Sequence, residues 1–133
     1  MTVFLDACIL IYLLEAHEAF SRQIAEALHA SPSSKFCANE LVRLECIVGP
    51  LRAQNDELRA AYEQQFRALR ILEMTREVFD LAARLPATGG LKTPDALHVA
   101  TAIFHRCDEF WTGDSRLESV QEALRIRVFH ETR

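Results

Sequence analysis

The sequence predicts an α/β protein: a mainly parallel sheet of about five strands, covered on both faces by helices. Three observations carry this. Short apolar runs alternate with longer helical segments along the whole chain. The runs, such as Val3-Phe4-Leu5 and Phe36-Cys37-Ala38, are apolar throughout, as strands buried on both faces are. Glycine and proline are few and fall as local punctuation, with no linker or repeat dividing the chain. A length of 133 residues predicts one domain over 1–133, large enough to fold without a disulfide or structural zinc.

Each element follows in order. Val3 to Leu5 reads as the first strand and ends at Asp6, which caps a helix over 7–15. A second helix spans His17 to Ala30 and is broken by Ser31-Pro32-Ser33-Ser34. Phe36 to Ala38 forms the second strand. Asn39 then caps a helix that Gly49-Pro50 is expected to stop at about Val48, with Leu41, Leu44, Val48 and Leu51 as its apolar face. Asn55 to Leu69 carries helical apolar spacing, and Arg70 to Met74 reads as a strand. Thr75 caps a helix ended by Pro86; Pro94 opens another that runs to Arg106. Phe110-Trp111 is the fourth strand, and Arg125 to Phe129 alternates like an edge strand.

Composition excludes several classes. Fifteen Lys and Arg against 19 Asp and Glu give a net charge of -4, so there is no broadly basic face for nucleic acid. Cys8, Cys37, Cys46 and Cys107 form no C-x-x-C pair and no zinc spacing, as expected of free thiols in a reducing compartment. No apolar run spans a membrane and no signal-peptide pattern is present, so a soluble cytoplasmic protein is expected.

Four acids occupy informative positions. Asp6 follows the first strand, Asp114 lies just past the fourth, and Asp95 sits in the first turn of its helix. Each alone has an ordinary structural role as a cap or turn residue. Glu45 falls at the edge of an apolar helix face, where a carboxylate needs a partner. In a parallel sheet these positions converge beyond the carboxyl ends of the strands. Converging carboxylates repel one another unless a cation neutralises them. An all-oxygen donor set suits a hard cation, Mg²⁺ or Mn²⁺, rather than zinc.

The residues that carry these acids resemble a known family. Val3-Phe4-Leu5-Asp6-Ala7-Cys8-Ile9-Leu10-Ile11-Tyr12-Leu13-Leu14-Glu15 resembles the opening motif of PIN-domain ribonucleases. Asn39-Glu40-Leu41-Val42-Arg43-Leu44-Glu45 is similar to their second motif, with Glu45 as the matching acid. Thr93-Pro94-Asp95-Ala96-Leu97-His98-Val99-Ala100-Thr101-Ala102 and Trp111-Thr112-Gly113-Asp114 resemble the third and fourth. The small size is similar to that of VapC-type toxins of toxin–antitoxin systems.

The resemblance implies a three-layer α/β/α sandwich. It implies a Mg²⁺- or Mn²⁺-dependent endoribonuclease acting on tRNA or rRNA by a metal-activated water, leaving 5′-phosphate and 3′-hydroxyl ends. It further implies a cognate antitoxin and a homodimer. By motif, Asp6, Glu45, Asp95 and Asp114 are the catalytic metal ligands and Thr112 supports them. Arg43, Lys92 and Arg116 are candidate RNA contacts. Cys8 and Asn39 depart from the family pattern, which more often has Ser or Asn, and Ser or Thr, at those places. His98 shares a helix face with Asp95 and is expected to be either a packed residue or a site neighbour. The rival readings are a non-catalytic module of the same fold and a Mg²⁺-dependent phosphatase, whose usual second Asp is replaced here by Cys8. Two divalent cations would bring the net charge from -4 to 0, so net charge is a poor guide to the partner.

Overall fold

The computed structural model describes residues 1–85, 91–121 and 124–131. Five parallel strands form one sheet in the order β3-β2-β1-β4-β5. The strands are β1 (Thr2–Leu5), β2 (Lys35–Ala38), β3 (Arg70–Ile71), β4 (Glu109–Thr112) and β5 (Arg125–Val128). The order reverses at β1: the chain builds outward to β3, then returns to place β4 on the other side of β1. Ligand sites of such sheets lie at this reversal, beyond the carboxyl ends of the strands.

Strand register sorts the core into two faces. Phe4 pairs with Phe110 and Cys37, and the Phe4 and Phe110 rings stack at 5.2 Å on the side that carries His98. Leu5 and Phe36 point the other way and share an apolar cavity of about 570 Å³ with Leu10, Leu13 and Leu28. The central strand residues Val3, Phe4 and Leu5 are buried, as their unbroken apolar run predicts.

Among the described residues six α-helices connect the strands: α1 (Ala7–Glu15), α2 (Glu18–His29), α3 (Glu40–Arg52), α4 (Asp56–Arg67), α5 (Arg76–Arg84) and α6 (Thr93–Phe104). Their starts follow the sequence closely. Asp6, Asn39, Asn55 and Thr75 each accept a hydrogen bond from a backbone N–H of the first turn. Pro94 stands in the first turn of α6, where its missing N–H costs no helical bond.

The helix ends differ from expectation. Gly49-Pro50 does not stop α3, which continues to Arg52. Pro50 is buried, so packing holds the last turn despite the missing N–H. The true stop is Gln54, at φ 54°. Gln54 N donates to Leu51 O at 3.2 Å and Asn55 N to Pro50 O at 2.9 Å, a Schellman pattern built without glycine. α6 ends two residues before the expected Arg106, which adopts φ 58° in the same arrangement, with Cys107 N donating to Ala102 O at 2.9 Å. The expected stop of α5 at Pro86 lies outside the described residues.

Three further corrections concern faces and lengths. The buried side of α3 is Val42, Cys46 and Pro50; Leu44 and Leu51, expected in the core, are 57% and 49% exposed. Both stripes have helical spacing, and the one facing α1 is buried, with Cys46 Sγ against Ala7 O. β3 stops at Ile71 rather than Met74, because only Cys37 and Ala38 of β2 remain for it to pair with. Ser115–Val120, given no element by the sequence, forms a 3-10 helix capped by Asp114.

Candidate functional site

Two strand ends build the centre of the site. The β1–β4 ladder continues one residue past Leu5, with Asp6 N donating to Trp111 O at 3.0 Å. This fixes the Asp6 backbone, and the carboxylate then turns over the sheet end. Its Oδ1 accepts from Ala7 N at 2.8 Å and its Oδ2 from the Thr112 hydroxyl at 2.8 Å. Thr112 Oγ1 in turn accepts from Asp114 N at 3.1 Å. Asp6 is thus buried but held by donors, as a carboxylate out of water must be.

Cys8 completes this corner. Its sulfur accepts from Gly113 N at 3.0 Å and lies 3.6 Å from both Asp6 Oδ2 and Thr112 Oγ1. Burial, followed by the nearby Asp6 charge, pushes the thiol up to about 12, so it stays protonated at neutral pH. Tyr12 closes the same corner. A Cβ on Gly113 would come within 2.8 Å of the Tyr12 ring, so any larger residue there must push the Tyr12 side chain aside.

α3 and α6 bring the second acid. Glu45 Oε1 lies 2.5 Å from His98 Nε2, and His98 is 1% exposed. Asn39, the cap of α3, reaches across to His98 Nδ1 at 3.3 Å and to Thr101 Oγ1 at 3.0 Å. One oxygen each from Asp6 and Glu45 and one ring nitrogen of His98 all lie within 4.8 Å of one another. His98 is therefore packed and in the site at once. Its spacing from Asp95 signals this; nothing in the sequence signals the Asn39 and Thr101 contacts.

Asp95 and Asp114 stand apart from that tight group. Burial, then the charges of Asp6 and Asp114, raises the Asp95 carboxyl above the usual aspartate range. Asp114 moves the other way: hydrogen bonds from the Arg116 guanidinium hold it below that range, and Lys92 adds to this. Arg116 and Lys92, both expected as RNA contacts, thus sit beside the acids, with Arg116 already paired to Asp114. Arg43 is committed elsewhere. It forms a two-pronged pair with Glu63 of α4, at 3.1 and 3.0 Å, and clamps α3 to α4.

These residues fit a hard divalent cation. Among the described residues, no Lys or Arg pairs with Asp6, Glu45 or Asp95. The carboxylates offer oxygen donors whose hydrogen bonds leave lone pairs free. Among the described residues no helix is long and apolar enough to cross a membrane.

Comparison with known structures places this arrangement among similar folds. A chain of the VapBC-1 structure from nontypeable Haemophilus influenzae superposes with a TM-score of 0.78 at 18% identity, over 96% of this chain and 98% of that one. A chain of VapBC2 from Rickettsia felis, solved bound to a promoter DNA fragment, gives 0.76 at 14% identity, over 98% and 100%. A toxin–antitoxin complex from Klebsiella pneumoniae gives 0.72 at 21% identity, over 98% and 99%. Comparison with curated proteins gives no significant match. The model of the PIN domain matches residues 3–123. With that match over nearly the whole length, and the acids gathered where β1 and β4 end, the chain belongs to the PIN-domain family.

Proposed function

We propose that this protein is a metal-dependent endoribonuclease and the toxin of a toxin–antitoxin pair. The observation that carries the reading is the acidic group at the end of β1: Asp6 and Glu45 oxygens within 4.8 Å, and no Lys or Arg paired with either among the described residues. Such an arrangement is costly in an empty site and useful in one that binds a cation. Asp6, Glu45, Asp95 and Asp114 are the residues that would hold Mg²⁺ or Mn²⁺. A bound divalent cation supplies Lewis-acid activation of water and neutralises charge on a phosphodiester.

The chain's own groups do the rest. Thr112, Cys8 and the Ala7 amide orient Asp6, and the single bond on Oδ1 leaves that oxygen a lone pair for a cation. Lys92, exposed at the start of α6, gives the RNA backbone a positive contact near Asp114. Arg116 serves the same purpose if the substrate phosphate draws it from Asp114. The exposed Leu44 and Leu51 on α3, with Phe79 on α5 and Phe104 on α6, offer apolar surface for a homodimer or an antitoxin.

The test is expression of wild type and Asp6→Asn in cells, with and without the neighbouring reading frame, alongside RNA cleavage by the purified proteins with Mn²⁺ or with chelator. Wild type should arrest growth alone, be silenced by its neighbour, and cut RNA only with metal. Equal growth of both, with no cleavage, would leave the non-catalytic module as the better reading.

A further inference from the structure

We propose that His98 is a positioning residue, which holds the Glu45 carboxylate as a hydrogen-bond donor and is not itself a metal ligand. The proposal rests on the metal-binding reading of this site. Proximity alone suggests otherwise, because a His98 ring nitrogen lies with Asp6 and Glu45 oxygens in a group of three possible ligand atoms, and Nε2 is the nitrogen against Glu45. The polarity of the surrounding hydrogen bonds decides between the two roles.

That polarity is fixed at both ends by backbone groups that have only one option. The Val42 N–H can only donate, and it donates to Asn39 Oδ1 at 2.9 Å. This sets the Asn39 amide with its NH₂ toward α6. The Leu97 carbonyl can only accept, and it takes the Thr101 hydroxyl hydrogen at 2.7 Å. Thr101 Oγ1 is therefore an acceptor for one Asn39 N–H, at 3.0 Å. The other Asn39 N–H points at His98 Nδ1, at 3.3 Å. Nδ1 must then present its lone pair, so the ring hydrogen of the neutral imidazole sits on Nε2. Nε2 donates that hydrogen to Glu45 Oε1 at 2.5 Å and has no lone pair left for a cation.

The consequence is mechanical. Glu45 is a long side chain with about a third of its surface exposed, and without a partner it would sample many rotamers. His98 does not move: it is 1% exposed, and its ring lies against Phe4, with centroids 5.9 Å apart. One Glu45 oxygen is thus anchored, and the other is the one to meet the cation. Partners that orient a ligand in this way commonly affect metal affinity nearly as much as weak ligands do.

Two measurements test this. Long-range ¹H–¹⁵N spectra of wild type report the ring directly. The Nε2–H form is expected, unchanged by saturating Mg²⁺. An Nδ1–H form, or loss of the Nε2 hydrogen when Mg²⁺ is added, overturns the proposal. Calorimetric Mn²⁺ titration then compares wild type, His98→Leu and His98→Gln, each checked for folding by circular dichroism. His98→Leu should weaken binding about 10- to 100-fold, and His98→Gln, which keeps an N–H donor, should recover most of the loss. Equal binding by His98→Leu and wild type, or no recovery in a folded His98→Gln, overturns the positioning role alone. Failure of wild type to bind Mn²⁺ at all would instead overturn the metal reading, and the proposal with it.

Discussion

The two halves of the acidic site are built on different principles. Around Asp6, the side chains that set the geometry, Thr112 and His98, are buried, and with the Ala7 amide they hold Asp6 and the partly exposed Glu45 as donors. Asp95 and Asp114 are themselves half-buried, but the cations that balance their charge, Arg116 and Lys92, are exposed. The first half is preorganised by the sheet and by α3 and α6. The second can exchange its internal ion pair for a phosphate or a cation. On the proposed reading, the fixed geometry would hold the cation and the replaceable charge would meet the substrate.

The sharpest way to break this contrast is Asp6→Asn. RNA cleavage with Mn²⁺ should fall at least about 1000-fold, the scale on which removal of a catalytic group usually falls, while the far-ultraviolet circular dichroism stays unchanged. If cleavage persists, the buried half is scaffold and the open half does the chemistry. Thr112→Val comes next. It keeps the side-chain shape but takes the hydroxyl from Asp6 Oδ2 and from Asp114 N. Mn²⁺ affinity by titration should drop about 10- to 100-fold.

Gly113→Ala probes the tight corner between the halves. The new methyl group collides with the Tyr12 ring, so stability in urea should fall by about 1–3 kcal/mol. Tyr12→Leu in the same chain should give back part of the loss, since it clears the space. Arg116→Ala is the mildest test. The pair lowers the Asp114 carboxyl, so its contribution to stability is present above the ordinary aspartate range and is lost as pH falls through the lowered value. Urea midpoints of wild type and variant should differ slightly at neutral pH and converge in acid. Arg116 is exposed and Asp114 only half-buried, so the difference should also shrink with added salt. A large, salt-insensitive loss would show that the open half is as rigid as the buried one.

What the sequence made legible follows the same division. Local signals read well: the caps Asp6, Asn39, Asn55 and Thr75 each start a helix, and the buried runs became central strands. The acids were legible because strand ends collect at one side of a parallel sheet. The stop at Gln54 was not, because a left-handed residue without glycine has no compositional mark. Nor was the buried face of α3, since two stripes of helical spacing compete on that helix and only packing against α1 decides between them. Arg43 looked like a phosphate contact, but its match to Glu63 depends on where α4 docks. Asn39 was legible as a cap; the use of its other side, toward His98 and Thr101, appears only when α6 is laid across α3.

The central position of β1 also sets when the site can exist. Asp6 and Thr112 meet across 106 positions of sequence, and Glu45 and His98 across 53. β4 must be made, then placed beside a strand synthesised about a hundred residues earlier, before Asp6 has its hydroxyl partner. At about 5–20 residues per second, a growing chain carries Asp6 for roughly 5–20 s before residue 112 is added. Through that interval the chain holds acids but no assembled centre. The centre can therefore act only after Thr112 has been made and docked, and an antitoxin of the proposed kind, if made alongside, would have that interval in which to meet the chain.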